Sequence, residues 1–198
     1  MRKLNGFILP MTMIAAMALA GCSSSNQPLP PPGGGFSNSN LNGTYVVSFS
    51  GYDIGNGYGS FFSVLGNITA NGSGGITGGT IDINDPSLGS ALGTSYVFTK
   101  LPTSGTYNIT ADGRGTGSIS LNINGATVVF GLDFVMTSTS HGLISRFDKS
   151  GSGSGSIDLQ APNLPQSSFA GSYAFGFSGV DGGVINPLAT VGSFTLDN

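Results

Sequence analysis

The sequence has no tryptophan, no glutamate, one histidine and one cysteine. Only 8% of its 198 residues are charged. Each shortage excludes something. Without Glu, and with six Lys and Arg in all, the residues that favour solvated helix faces are nearly missing, so an α-rich fold is excluded. A single thiol has no disulfide partner within the chain. No basic patch or polybasic run exists, which argues against nucleic-acid binding and against electrostatic adhesion to a membrane surface. Solubility must come from Ser, Thr and Asn instead.

What the chain has in quantity is glycine, at 34 positions, with 10 prolines. The glycines are spread among Val, Ile, Phe and Tyr, as expected for strands joined by tight turns. Length allows one domain and part of another.

The N-terminus has its own pattern. Met1–Lys3 is a short basic region, and Leu4–Ala20 is mostly apolar but interrupted by Gly6 and Pro10, marginal as a membrane span. Leu19-Ala20-Gly21-Cys22 follows and resembles the lipobox of bacterial lipoproteins. The resemblance implies a signal peptide over residues 1–21, cleavage before Cys22, and acylation of Cys22 as the lipid attachment site. It also implies a bacterial cell-envelope location, with the membrane as partner through the acyl chains. Ser23 in place of Asp fits transfer to the outer membrane. Loss of Arg2 and Lys3 leaves four basic and nine acidic side chains, a formal charge of −5 (4 minus 9). Residues 22–40, rich in Ser, Asn, Pro and Gly, read as a disordered tether.

Residues 41–160 read as one all-β domain. Thr44–Ser50 alternates, with Tyr45, Val47 and Phe49 on one face. Further strands are expected over Phe61–Ala70, Ile76–Asn84, Ser95–Thr99, Gly105–Ala111, Thr116–Ile123, Ala126–Ser138, His141–Asp148 and Ser154–Gln160. Asp85–Gly93 reads as a loop, Pro102 as a strand breaker and Gly151–Gly155 as a flexible turn. Asp112-Gly113-Arg114-Gly115 and Asn124-Gly125 are strong hairpin turns. Eight or nine short antiparallel strands in this order predict a small up-and-down barrel, with a β-sandwich as the alternative.

The body also resembles the calycin-type barrels, the lipocalins and avidin-like proteins. Leu41-Asn42-Gly43-Thr44-Tyr45 and Gly78-Gly79-Thr80 carry that likeness, over residues 41–84. Tyr45 stands where lipocalins place a tryptophan, and no ligand site carries over. The overall pattern is similar to Gly-rich bacterial lipoproteins built from tandem domains, which implies no activity.

Leu41–Asp53 returns as Phe169–Asp181, 128 residues later (169 minus 41), with six of thirteen pairs identical: Gly43/Gly171, Tyr45/Tyr173, Phe49/Phe177, Ser50/Ser178, Gly51/Gly179 and Asp53/Asp181. After a linker at residues 161–168, residues 169–198 read as the first hairpin of a second, incomplete copy.

Candidate chemistry is thin. His141 has no Gly-x-Ser-x-Gly nucleophile elbow to serve and reads as a solvated or hydrogen-bonded turn histidine. Asp82, Asn84 and Asp85 offer hard oxygens for calcium, without the remainder of an EF-hand loop. They read first as an Asp-rich turn. Asp133 interrupts an apolar strand, with Arg114 and Arg146 as candidate partners. Gly113-x-Gly115-x-Gly117 precedes no helix and is no phosphate loop. Tyr45, Phe49, Tyr107 and Phe130 read as core, or as the lining of a lumen for a small apolar ligand. No catalytic, cofactor or metal residue is assigned. The expectation is a non-catalytic envelope protein with a structural or interaction domain facing other envelope or surface proteins. The alternative is a calycin-like binder of a small apolar ligand.

Overall fold

A computed structural model of the chain describes residues 35–54, 59–181 and 186–197. Eight strands form a closed barrel: β1 (Asn42–Asp53), β2 (Ser60–Asn71), β3 (Gly75–Asn84), β4 (Val97–Ile109), β5 (Arg114–Ile123), β6 (Ala126–Met136), β7 (His141–Phe147) and β8 (Gly151–Leu159). Each pairs antiparallel with the next, and β1 closes on β8 from Tyr45↔Leu159 to Asp53↔Gly151. The fold is the up-and-down barrel expected from the alternation, not the sandwich. Closure leaves the barrel no unpaired sheet edge.

The inward faces form one core. Tyr45, Val47 and Phe49 of β1 meet Phe62, Val64 and Ile68 of β2, and Ile119, Leu121 and Phe130 fill in from β5 and β6. Phe49 packs edge-on against Phe62 (6.0 Å between centroids) and Phe130 (6.2 Å), a geometry aromatic rings favour.

Where the chain departs from expectation, local chemistry accounts for it. Residues 85–93 are not a loop: Pro86–Leu92 is a short helix, α1. Asp85 caps it by accepting from the Leu88 amide at 2.9 Å, Pro86 occupies the first turn, and Gly93 ends it at φ 64°. The two strands expected on either side of Pro102 are one strand, β4. A bulge admits the proline: on β3, Ile81 and Ile83 face Leu101 and Phe98, and Lys100 has φ 55°.

Gly151–Gly155 is not a flexible turn but the first half of β8. Asp148 makes the turn before it, one carboxylate oxygen accepting from the Ser150 and Gly151 amides at 2.8 and 3.0 Å. The glycines are needed because β1 runs close alongside. A Cβ on Gly155 would collide with the Ser48 carbonyl and lie 2.6 Å from Phe49 Cα.

The folded body includes residues ahead of Leu41. A 3-10 turn at Asn38–Asn40, placed by sequence in the tether, closes one end of the barrel. The Asn38 side chain accepts from the Ile109 amide at 2.7 Å, and its carbonyl accepts from the Tyr107 hydroxyl at 3.2 Å. Phe36 packs against the core.

The second sheet is a hairpin of β9 (Gly171–Asp181) and β10 (Asn186–Leu196). Its register reproduces that of β1 and β2. Tyr173↔Phe194 matches Tyr45↔Ile68, and Phe177↔Thr190 matches Phe49↔Val64. Adding 128 on the first strand and 126 on the second converts eleven of the β1–β2 pairs into the β9–β10 pairs. The likeness extends upstream: a 3-10 turn at Gln166–Phe169 precedes β9, and Gly43 and Gly171 share positive φ (127° and 143°). The Tyr45 and Tyr173 hydroxyls each donate to a carbonyl of the preceding turn, at 3.2 and 2.9 Å.

Candidate functional site

At one end of the barrel, charge is buried. Arg146 on β7 is 4% exposed. Its Nη1 donates to Asp53 at 2.8 Å, and its Nε donates to Asp148 at 3.0 Å. The guanidinium carbon lies 4.9 Å from the centre of the Phe62 ring and 4.7 Å from that of Phe130. A planar cation between two ring faces gains from their negative quadrupoles while its edge stays free for carboxylates. Asp85, at the start of α1, is also buried, and burial pushes its pKa up against the opposing pull of the Leu88 amide. Asp148 feels the same desolvation, but the hydrogen bond from Arg146 and those from Ser150 and Gly131 outweigh it and hold its carboxyl below the usual range. The sequence singled out Arg146 only as a partner for Asp133. Asp53 was legible as one of the identities in the repeat, whereas nothing in the pattern pointed to Asp148.

At the opposite end the polar groups are tyrosines. The Tyr45 hydroxyl donates to the Asn40 and Thr139 carbonyls at 3.2 and 3.0 Å, and that of Tyr107 donates to Leu41 at 2.6 Å. Burial raises the Tyr45 pKa, which keeps the hydroxyl a donor. Tyr45, Phe49, Tyr107 and Phe130 are therefore core, at 1–5% exposure, and they pack within the lumen.

The remaining candidates lie on the outer wall. His141 opens β7, and its Nδ1 lies 2.6 Å from Asp158 Oδ1, a carboxylate that also accepts from the Ser156 hydroxyl at 2.7 Å. The three residue types are those of a hydrolase triad in the wrong order. Asp158 sits between the other two, whereas nucleophilic catalysis needs the imidazole between carboxylate and hydroxyl. The His141 and Ser156 hydrogen bonds hold Asp158 below the usual carboxylate range.

Asp82 and Asn84 face outward on β3 while Asp85 points into the barrel, so the three do not converge on a cation. Asp82 instead accepts from the Lys100 amide at 2.6 Å, which satisfies the β4 bulge. Among the described residues no group of three or more His, Cys, Asp or Glu is placed to hold a metal. Asp133 is exposed and lines a shallow hollow of about 270 Å³ with Arg114, Asn108 and Phe134. Arg114 turns to Asp112 at 2.8 Å, and the hydrogen bond from the Thr110 hydroxyl, followed by that from Arg114, holds the Asp112 pKa at about 2. Neither arginine pairs with Asp133. Gly113 lies in the β4–β5 turn and Gly115 and Gly117 in β5. Cys22 lies outside the described residues.

One part of the outer wall has a regular chemistry. Ser145, Ser154, Ser50 and Ser63 stand in register across β7, β8, β1 and β2. Two residues along, Phe147, Ser152, Tyr52 and Phe61 form the next row, with the three rings 45–70% exposed. On the other side run Leu143, Ser156, Ser48 and Leu65. Three rows across four strands thus carry no charge.

Comparison with known protein families, curated proteins and solved structures finds no match to this chain. What the structure shows is the closed eight-stranded antiparallel barrel alone.

Proposed function

We propose that the protein is a non-catalytic, lipid-anchored component of a bacterial cell envelope, held through acylated Cys22, with the barrel as a structural or interaction domain. The observation that carries this reading is the packed lumen. Phe49, Phe62 and Phe130 meet at its centre, the Arg146 cluster lies at one end, and the Asn38 turn closes the other. Such packing favours an interaction domain over a carrier of apolar ligands, and leaves recognition to the outside of the barrel. The uncharged wall of serine rows flanked by Phe147, Tyr52 and Phe61 suits that task. The lipobox resemblance supports the anchor, and Ser23 supports an outer-membrane destination.

Detergent-phase partition tests the anchor. The wild-type chain is expected in the detergent phase and Cys22→Ala in the aqueous phase; equal partition refutes lipid attachment. Titration with an apolar fluorescent probe tests the packed lumen. No saturable binding is expected, and one-to-one uptake quenched by Phe130→Trp would restore the carrier reading.

A further inference from the structure

The β9–β10 hairpin copies β1–β2 in register, yet the face that β1 and β2 bury is open on it. Tyr173, Phe175, Phe177, Leu188, Phe194 and Leu196 are 37–56% exposed, whereas Tyr45, Val47, Phe49, Phe62, Ile68 and Ala70 at the matching positions are at most 3% exposed. A second observation says what this face lacks. Gly51 of β1 is glycine because β8 runs against it: a Cβ there would collide with the Ser152 carbonyl and with Gly153 Cα. Its counterpart is Gly179, and around that residue no described atom lies within 4 Å of where a Cβ would stand. The Gly179 backbone does not have positive φ, so conformation does not demand glycine either. The residue fits a close neighbour on the outer edge of β9.

We propose that β9 accepts, by antiparallel strand addition, a strand patterned like β8, the eighth strand of a further repeat of this barrel. The chemistry is specific. The incoming strand needs glycines opposite Phe177 and Gly179, as Gly155 and Gly153 stand opposite Phe49 and Gly51. It carries serines outward and a branched apolar residue opposite Phe175, as Ile157 stands opposite Val47. Main-chain hydrogen bonds supply affinity, and the alternating small residues supply selectivity. A second copy of the present chain does not fit as donor, because its β8 is already held between β1 and β7. Two hairpins stacked face to face do not fit either. Eleven residues at about 3.3 Å and two strands at about 4.8 Å give roughly 350 Å² per face, or about 700 Å² per pair, below the ~1,200 Å² of a stable interface.

The probe is a labelled synthetic peptide with the sequence of Gly151–Leu159, added to the full chain at up to millimolar concentration. Fluorescence anisotropy reads binding, and hydrogen exchange of the β9 amides reads its place. The expected result is saturable binding with protection at Ser178 and its neighbours. Binding should weaken at least tenfold in Gly179→Val and be unchanged in Gly176→Ala, whose Cβ would meet only ordinary contacts with Val191 and Thr190. An unchanged melting temperature of the barrel in both variants separates lost docking from misfolding. Absence of saturable binding, equal binding by Gly179→Val, or protection away from β9 would overturn the proposal. So would concentration-dependent dimerisation of the chain alone with loss of β8 protection, because the strand would then come from a second copy.

Discussion

Arg146 is the residue on which one end of the barrel depends. An ion taken out of water is stabilised only by partners that replace its hydration, and Asp53 and Asp148 do so here at 2.8 and 3.0 Å. Arg146→Met keeps an apolar side chain directed toward the Phe62 and Phe130 rings but removes the cation beside the buried Asp53. The expected cost is about 3–5 kcal/mol in urea unfolding, and adding Asp53→Asn should recover most of it. A single-variant loss below about 1 kcal/mol would place the energy in ring packing instead. Asp85 and Asp148 should respond to pH in opposite senses. Asp148 has a folded pKa below the ordinary 3.8, so its contribution is complete above 3.8 and lost as pH falls through the folded value. Asp85 has a folded pKa above 3.8, so its stability is complete below 3.8 and declines as pH rises to the folded value. Asp148→Asn should therefore destabilise at pH 7, with the difference from wild type shrinking below pH 3.8. Asp85→Asn, which keeps a side-chain oxygen for the Leu88 amide, should be neutral or stabilising at pH 7. Urea titrations at pH 3 and pH 7 decide both.

At the scale of elements, glycine has two uses that the sequence writes alike. In Asn124-Gly125 it serves a two-residue turn, with φ of 52° and 86° that match the type I′ hairpin. In Gly151–Leu159 it serves contact between strands. Gly125→Ala should thus cost roughly 1 kcal/mol. Gly155→Val should cost about 3 kcal/mol or more, because the side chain must displace the β1 backbone. Comparable losses in thermal melts would contradict the assignment of β8. The same ambiguity explains which elements could be read in advance. β1, β5 and β6 alternate cleanly, with Tyr45, Ile119 and Phe130 in phase, and burial of one face enforces the alternation. β8 has one large inward side chain, Ile157, too little for a periodic signal. Helix α1 was marked by Asp85, Pro86 and Gly93, but seven residues are too short to show a 3.6-residue period. Of the candidate site, Asp53 was visible through its repeat in Asp181. Asp148 and Asp158 were hidden because turn geometry and the register of neighbouring strands set their partners: Asp148 accepts from Arg146 and from the Ser150 and Gly151 amides, and Asp158 meets His141 across the β7–β8 pair.

At the scale of the whole molecule, the neighbours β1 to β8 follow one another in sequence except at the seam, where Tyr45 pairs with Leu159, 114 positions on (159 minus 45). Seven of the eight strand pairings are hairpin-local, and only the seam must bring distant segments together, so the barrel gains its last interface when the others already exist. A closed sheet has no edge from which to fray, and amides of β1 and β8 should open only with the rest of the barrel. The hairpin β9–β10 is the opposite case. It has the same register as β1–β2, but its inner-face equivalents Tyr173, Phe177 and Phe194 remain exposed, and a two-stranded sheet is marginal by itself in water. Native-state hydrogen exchange should therefore give β1–β8 amides one common, large opening free energy, while β9–β10 amides exchange orders of magnitude faster. Equal protection of the Phe177 and Phe49 amides would show that the hairpin draws stability from contacts other than its own pairing. Faster exchange along β1 and β8 than in β5 and β6 would show that the barrel opens at its seam.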